Sequence, residues 1–164
     1  PWFMKDSRGA AGKINARAET LTTTRAFRQA AARRRALIPM DGWYEWRSHP
    51  KEPGKQPYFL TSEVPLTAAG VWERWRGPDG AELLTCAIVT TAAVGPLVDI
   101  HDRMPLLLPA DRWDDWLDPI FSDPTSLLTP DTDVIAGLEL RPVGPGIGDV
   151  RNKTSPDLVA RIDL

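Results

Sequence analysis

Glu45 stands in an aromatic run, after Trp43 and Tyr44 and before Trp46. A carboxyl group packed among such rings loses water, and because burial disfavours its charged form we expect its pKa to be raised toward neutrality. A group of that kind can act as a general acid or base. The alternative is a solvated acid at a sheet edge beside core tryptophans, and the aromatic run alone leaves both interpretations open.

His101 is the second residue that could move protons. Asp99 precedes it, Asp102 and Arg103 follow it, and the chain contains only two histidines. An imidazole titrates near neutral pH and suits proton transfer. The alternative is a His-Asp pair that fastens a loop. His and Asp also bind metals, but the sequence shows no second His or Cys at a ligand spacing, so we predict no metal site.

Asn15 and Arg17 lie two residues apart in the segment Ile14–Thr20, INARAET. In an extended strand, residues at that spacing project from the same face, so the amide and the guanidinium can meet one ligand. The alternative is a turn hydrogen bond for Asn15 and a solvated Arg17.

The elements that must position these residues are mainly strands. Period-two alternation in a strand over Ala36–Trp46 puts Trp43 and Glu45 on one face and Tyr44 and Trp46 on the other. The turn clusters Ser62-Glu63 and Gly77-Pro78-Asp79-Gly80 separate further predicted strands. Those strands are Pro57–Thr61, Leu66–Trp75 and Leu83–Thr91, with a last one at Leu138–Val143. Their spacing predicts an antiparallel meander or barrel.

Helices are fewer. Thr22–Arg35 is predicted as an amphipathic helix capped by Thr22, Thr23 or Thr24, and its final arginines either compensate the helix dipole or form a nucleic-acid patch. Pro109–Leu117 is predicted as a short helix that buries Trp113, Trp116 and Leu117, and Ser122–Leu128 as another turn.

Length and composition bound the protein class. The 164 residues, 42% hydrophobic and 26% charged, predict one globular domain over 1–164, and no apolar run reaches membrane-spanning length. A single cysteine excludes an internal disulfide framework and favours the cytoplasm. We expect Cys86 to be a small packed side chain within a strand, and His49 to lie in an exposed loop without chemistry.

The charge balance limits how nucleic acid could bind. A net charge of -2 argues against a protein that coats nucleic acid through its overall field, but a local basic groove remains possible. Of the 20 basic residues 15 are Arg, whose planar guanidinium suits phosphate contacts, and seven Trp offer rings on which bases can stack.

Four segments in this order resemble the SOS response-associated peptidase (SRAP) family. They are INARAET, LIPMDGWYEW at Leu37–Trp46, IHDRMP at Ile100–Pro105, and Arg141-Pro142-Val143 followed by Val150-Arg151-Asn152. The opening PWFMKD and Gly70-Val71-Trp72-Glu73 fit the same family. The resemblance implies a compact α+β fold with a mostly antiparallel, β-barrel-like core and a few flanking helices.

The resemblance implies an activity in the DNA-damage (SOS) response. Such a protein binds single-stranded DNA at abasic sites and traps them as a covalent DNA-protein crosslink. Its nucleophile is an N-terminal Cys, exposed when the protein removes its own initiator Met. The amine of that Cys forms a Schiff base with the sugar aldehyde, and the thiolate closes a thiazolidine. The resemblance implies no cofactor, and it places the protein in the cytoplasm, at the nucleoid when DNA is damaged.

The resemblance also assigns roles to residues of this chain. Glu45 would shuttle protons for Met removal and for opening of the sugar ring, His101 would assist ring opening and the Schiff-base steps, and Asn15 would orient the N-terminal Cys. The implied DNA-binding residues are Arg17 and Arg103 on phosphates, Trp46 beside the site and Phe3 against a base.

One departure from the family pattern is serious. The sequence starts at Pro1 without an N-terminal Cys, and Cys86 does not match the nucleophile position. We therefore expect that a segment carrying the Cys and the first strands is missing here, which would prevent thiazolidine formation and leave sheet edges unpaired. Two alternatives stay open: a module that binds single-stranded DNA reversibly through Arg17 and Arg103, and a cysteine peptidase acting through Cys86.

Overall fold

The computed structural model describes residues 1–6, 10–48, 54–149, 151 and 156–163. His49, Val150 and Asn152 lie outside the described residues, so the interpretations that concern them have no structural counterpart. None of the helices in the described ranges is both long enough and apolar enough to cross a lipid bilayer.

A six-stranded sheet organises the described chain. Its central order is β1-β4-β3-β2, with β5 beside β4 and β6 beside β3. β1 runs parallel to β4 and the other pairs are antiparallel. The strands are β1 Asn15–Arg17, β2 Arg35–Ser48, β3 Lys55–Arg76, β4 Glu82–Ala92, β5 Arg103–Pro105 and β6 Glu139–Pro142. The predicted α+β class is confirmed, whereas the pairings among described strands leave the sheet open and do not close it into a barrel.

β3 is one strand where the sequence predicted two. The predicted turn at Ser62-Glu63 is wrong, because the polar residues there leave the pairing without reversing the chain. Met40 pairs with Leu66 and Gly42 with Thr61, so the register shifts between them. A polar interruption in a strand can thus form a bulge as well as a turn. The predicted turn at 77–80 is confirmed by pairing of Arg76 with Glu82.

The helices are short and flank the sheet. They are α1 Arg28–Arg33, α2 Trp113–Leu117 and α3 Thr132–Ala136. The prediction of one helix over Thr22–Arg35 is wrong at both ends. Phe27 occupies the N-cap without a side-chain hydrogen bond, and Thr24 Oγ1 donates instead to Thr20 O at 2.7 Å. A threonine side chain can therefore stabilise a turn before a helix as readily as cap it.

Arg35 shows why the helix ends early. It begins β2, is buried, and donates to the carbonyl oxygens of Ala31, Trp116 and Asp118. Burial lowers its pKa, an effect that Asp118 opposes. A buried guanidinium is tolerated when its donors are used. Arg35 thus ties α1 and α2 to the sheet, and its hydrogen bond to Ala31 O in the last turn of α1 agrees with the predicted compensation of the helix end.

Two apolar clusters occupy the interior, one including Ala16, Val89 and Trp116 and the other Tyr58, Leu97 and Met104. Trp116 is fully buried, as predicted. Leu117, predicted to be buried, is exposed because the five-residue α2 presents too little surface to bury every apolar side chain.

Of the remaining local predictions, two are confirmed and one is wrong. The last strand is confirmed as β6, and the turn at 122–128 as a 3₁₀ turn, Pro124–Leu127, capped by Asp123. The prediction that Cys86 is packed is wrong, since its side chain is exposed. Alternation explains this: Ala87 next to it faces the core, so Cys86 points outward.

Candidate functional site

β2 carries Glu45 at the margin of a core. Glu45 pairs with Tyr58 of β3, and its side chain is 20% exposed. Burial raises the pKa of Glu45 from its ordinary value, and the charge of Asp102 acts in the same direction. The charge of His101 opposes that rise, and so does the nearby indole N–H of Trp43. This N–H lies outside hydrogen-bond geometry for every acceptor among the described residues. The predicted rise in the pKa of Glu45 is therefore confirmed in direction.

His101 reaches Glu45 from the connection between β4 and β5. Its Nε2 lies 4.0 Å from Oε2 of Glu45. The backbone N–H of Arg103 donates to its Nδ1 at 3.0 Å, and Oδ1 of Asp102 lies 3.2 Å from the same nitrogen. The imidazole is therefore placed between two carboxylates, one half-buried and one exposed.

These contacts define what the pair can do with a proton. When Nδ1 accepts from Arg103, the neutral ring carries its proton on Nε2, which faces Glu45. At 4.0 Å the two groups do not form a direct hydrogen bond, and a third polar atom lying to one side could hydrogen-bond to both. One proton can be held by Glu45 or by His101, so the pair can supply both an acid and a base.

β1 presents Asn15 and Arg17 on one exposed face, as predicted, while Ala16 between them is fully buried. Asn15 pairs with Ile88 and Arg17 with Thr90 of β4. Neither side chain makes a hydrogen bond or ion pair with a residue in the described ranges, so both have free donors there.

No hydrogen bond joins Asn15 to the acid or the imidazole among the described residues. β1, which carries Asn15, and β2, which carries Glu45, stand at opposite ends of the order β1-β4-β3-β2. The structure brings Glu45 and His101 together, and the convergence of Asn15 on the same site stays a prediction.

Arg103 lies on the other side of β4, where it pairs with Ala92. Its Nη1 and Nη2 donate to the Glu19 carboxylate at 2.6 and 3.0 Å, and Nη2 also donates to Thr90 O at 2.7 Å. The hydrogen bond from Arg103 is the main reason that the pKa of Glu19 falls to about 2. The charge of Arg103 is therefore neutralised by Glu19, whereas Arg17 forms no ion pair with a described residue. The buried Nε of Arg103 has no partner in the described part of the chain.

Sequence reasoning missed Glu19 as a partner of Arg103. Glu19 lies within INARAET and Arg103 within IHDRMP, and two residues separated by 84 positions in the sequence gave no sign of a pair. The parallel pairing of β1 with β4 creates this contact, because it sets the residues after Arg17 beside the end of β4. Only an alignment showing joint changes at both positions could have found it.

Phe3 lies in an aromatic group with Trp2, at 5.6 Å between ring centres and nearly perpendicular. The guanidinium of Arg25 lies 4.7 Å from the Phe3 ring and 5.6 Å from the Trp2 ring. Arg25 is a second residue that the sequence did not single out, since no spacing rule connects it to residues 2 and 3. Trp46 is 37% exposed.

The structure gives no metal centre in the described residues, where no three His, Cys, Asp or Glu side chains cluster. Cys86 borders an apolar groove with Ile14, Phe27 and Trp72. His101, the described histidine, contacts Glu45 and Asp102 rather than Cys86.

Known proteins are similar to this chain in sequence. The abasic site processing protein YoqW of Bacillus subtilis is 38% identical over 164 residues, which cover 97% of this chain and 71% of that protein. The abasic site processing protein HMCES of Rattus norvegicus is 28% identical over 196 residues, covering 99% and 54%.

Solved structures agree on the fold. A protein from Bacteroides thetaiotaomicron superposes with a TM-score of 0.85 at 27% identity, covering 99% of this chain and 73% of that one. The model of the SOS response associated peptidase (SRAP) family matches residues 1–150. The chain therefore belongs to the SRAP family.

Proposed function

We propose that this protein processes abasic sites in DNA by covalent capture. The observation that carries the proposal is that Oε2 of half-buried Glu45 lies 4.0 Å from Nε2 of His101. The support from relatives is that YoqW, YedK and HMCES are named abasic site processing proteins. We place the reaction in the cytoplasm, at the nucleoid when DNA is damaged.

The first chemical step is opening of the abasic sugar. The closed sugar is a hemiacetal, so the hydroxyl on its anomeric carbon must lose a proton while the ring oxygen gains one. Two groups that hold one proton between them meet both requirements, since one begins as base and the other as acid. In this proposal the ring oxygen lies beside His101, which assists ring opening, and Glu45 shuttles the protons.

The second step is covalent. The amine of an N-terminal Cys adds to the aldehyde and water leaves, which gives a Schiff base. The thiolate then adds to that carbon and closes a thiazolidine, with the proton passing to nitrogen. Cys86 cannot supply both groups because its own nitrogen is in a peptide bond. The proposal thus concerns the protein carrying an N-terminal cysteine, released by self-processing, and Asn15 would orient that residue.

DNA would lie across the face that carries β1. Arg17 is exposed and has no ion pair among the described residues, so it is a phosphate contact in this proposal. Arg103 would add a contact while it remains paired to Glu19. Phe3 and Trp46 offer rings on which unpaired bases stack, which favours single-stranded DNA.

The test is adduct formation by the full-length protein on an abasic single-stranded oligonucleotide. We expect a band that survives denaturation with the abasic strand and none with an intact strand of the same sequence. Glu45→Gln should slow its appearance, while Glu63→Gln, at an exposed position of β3, should not. Normal DNA affinity without any adduct would refute covalent capture.

A second candidate function is reversible binding of single-stranded DNA, favoured by the exposed Arg17, which has no ion pair within the described ranges. It predicts affinity that falls with salt, equal for abasic and intact strands, and no adduct at any time. A cysteine peptidase acting through Cys86 finds less support, because His101 contacts Glu45 instead.

A further inference from the structure

The stretch 20–40 contains five arginines and no acidic residue. Two of these arginines are already used: Arg35 is buried against backbone carbonyls, and Arg34 pairs with Glu73 at 2.7 Å. The other three, Arg25, Arg28 and Arg33, are exposed and make no ion pair with the described residues. Three uncompensated positive charges thus lie on one short segment of a protein whose net charge is -2.

Arg28 and Arg33 are the first and last residues of α1, and Arg25 lies in the turn before it. Arg28 N–H donates to Thr24 O, so the helical path begins before α1, and Ala30 and Ala31 are buried beneath it. Arg28, Gln29 and Arg33 are exposed on the part of this segment that does not face the core. At 1.5 Å per residue, Arg28 and Arg33 are about 7.5 Å apart along the axis of α1.

A hollow of about 610 Å³ lies on this face. Its lining contains hydrogen-bond donors and no acid: Thr22, Arg28, Gln29, Ala32, Arg33 and Arg34. Guanidinium, amide and hydroxyl groups around one hollow match the oxygens of a phosphate. A carboxylate-lined or apolar hollow would not fit such a ligand.

We propose that this arginine face, formed by Arg28, Gln29 and Arg33, binds backbone phosphates of the DNA strand at a distance from the lesion. Arg25 links it to the aromatic group at Phe3, because its guanidinium lies over that ring. The inference rests on the proposed function in requiring DNA as the partner. It extends the contact surface by about two phosphates beyond those held by Arg17.

The test compares the double variant Arg28→Ala/Arg33→Ala with the wild type by fluorescence anisotropy. The probes are abasic single strands of increasing length, titrated over a range of salt. Two lost phosphate contacts should reduce the slope of log affinity against log salt by about 1.4 for long strands. Strands too short to reach the arginine face should bind both proteins equally, and the adduct at saturating DNA should form at an unchanged rate.

Two control variants keep the result interpretable. Arg28→Lys/Arg33→Lys preserves the charge and should largely restore the slope, which a merely structural role would not predict. Arg76→Ala removes an exposed arginine already paired with Glu82 and should leave the slope close to wild type. An unchanged slope in the folded alanine variant, or an equal loss on short strands, overturns the arginine face. Absence of the adduct in the wild type would instead contradict covalent capture.

Discussion

Glu45, on β2, and Glu19, just after β1, are two carboxylates with opposite electrostatic environments. Glu45 is half-buried, and loss of water raises its pKa. Glu19 is half exposed and accepts two hydrogen bonds from Arg103, which lower its pKa to about 2. The comparison teaches that the acid suited to exchange protons is the one that the fold desolvates beside an imidazole. The one beside a guanidinium is locked in its charged form.

The same difference separates two arginines. Arg103 is neutralised by Glu19, whereas Arg17 has no acidic partner among the described residues. A phosphate approaching Arg103 meets a carboxylate as well, while one approaching Arg17 meets a guanidinium that has no ion pair in the described part of the chain. The proposed reaction thus depends on Glu45 for chemistry and on Arg17 for attraction, and the Glu19–Arg103 pair holds β5 in place.

The largest expected effect is that of Glu45→Gln on adduct formation. The amide keeps the shape of the side chain but cannot exchange the proton, so the rate should fall about 10²- to 10⁴-fold. DNA affinity should change little, because Glu45 is not a phosphate contact. Single-turnover assays on denaturing gels measure the rate, with Glu63→Gln as the control. A rate within a few-fold of wild type would remove Glu45 from the chemistry.

His101→Gln should slow the same reaction about 10- to 100-fold and also move its pH dependence. The charge of His101 lowers the pKa of Glu45, so removing it should raise that pKa further. The limb of the pH-rate profile that reports Glu45 should therefore move to higher pH. An unmoved limb would show that the two groups do not interact.

Arg17→Ala and Arg103→Ala sharpen the comparison between the arginines. We expect Arg17→Ala to reduce the salt slope of single-strand binding by about 0.7, and Arg103→Ala to reduce it less because Glu19 already offsets that charge. Anisotropy titrations at several salt concentrations separate the two. Equal reductions would mean that DNA displaces Glu19 from Arg103.

The smallest expected effect is that of Glu19→Gln on the free energy of unfolding and on its dependence on pH. Because the pKa of Glu19 is lowered from 4.5 to about 2, its contribution is present above pH 4.5 and is lost as pH falls toward 2. The pair is partly exposed, so this contribution should stay under about 1 kcal/mol. Chemical denaturation at pH 7 and at pH 3 measures it. Glu139, whose pKa also falls to about 2, titrates in both proteins and cancels in the difference.

Local patterns predicted a large part of the fold. Alternation placed β2 and the shared face of Asn15 and Arg17, and turn residues placed the hairpin at 77–80. Errors arose where two local outcomes are close in energy. A polar interruption formed a bulge in β3, and the arginine run after α1 ended the helix because Arg35 is buried against α2.

The sequence by itself determined where β2, β4 and β6 lie, the family resemblance and the acid among aromatic rings, since these depend on side-chain type and short spacing. Only the tertiary structure decided that His101 meets Glu45 and that Glu19 pairs with Arg103. The physical reason is that burial and charge contacts depend on how distant segments pack. Residues 45 and 101, or 19 and 103, become neighbours only when the sheet forms.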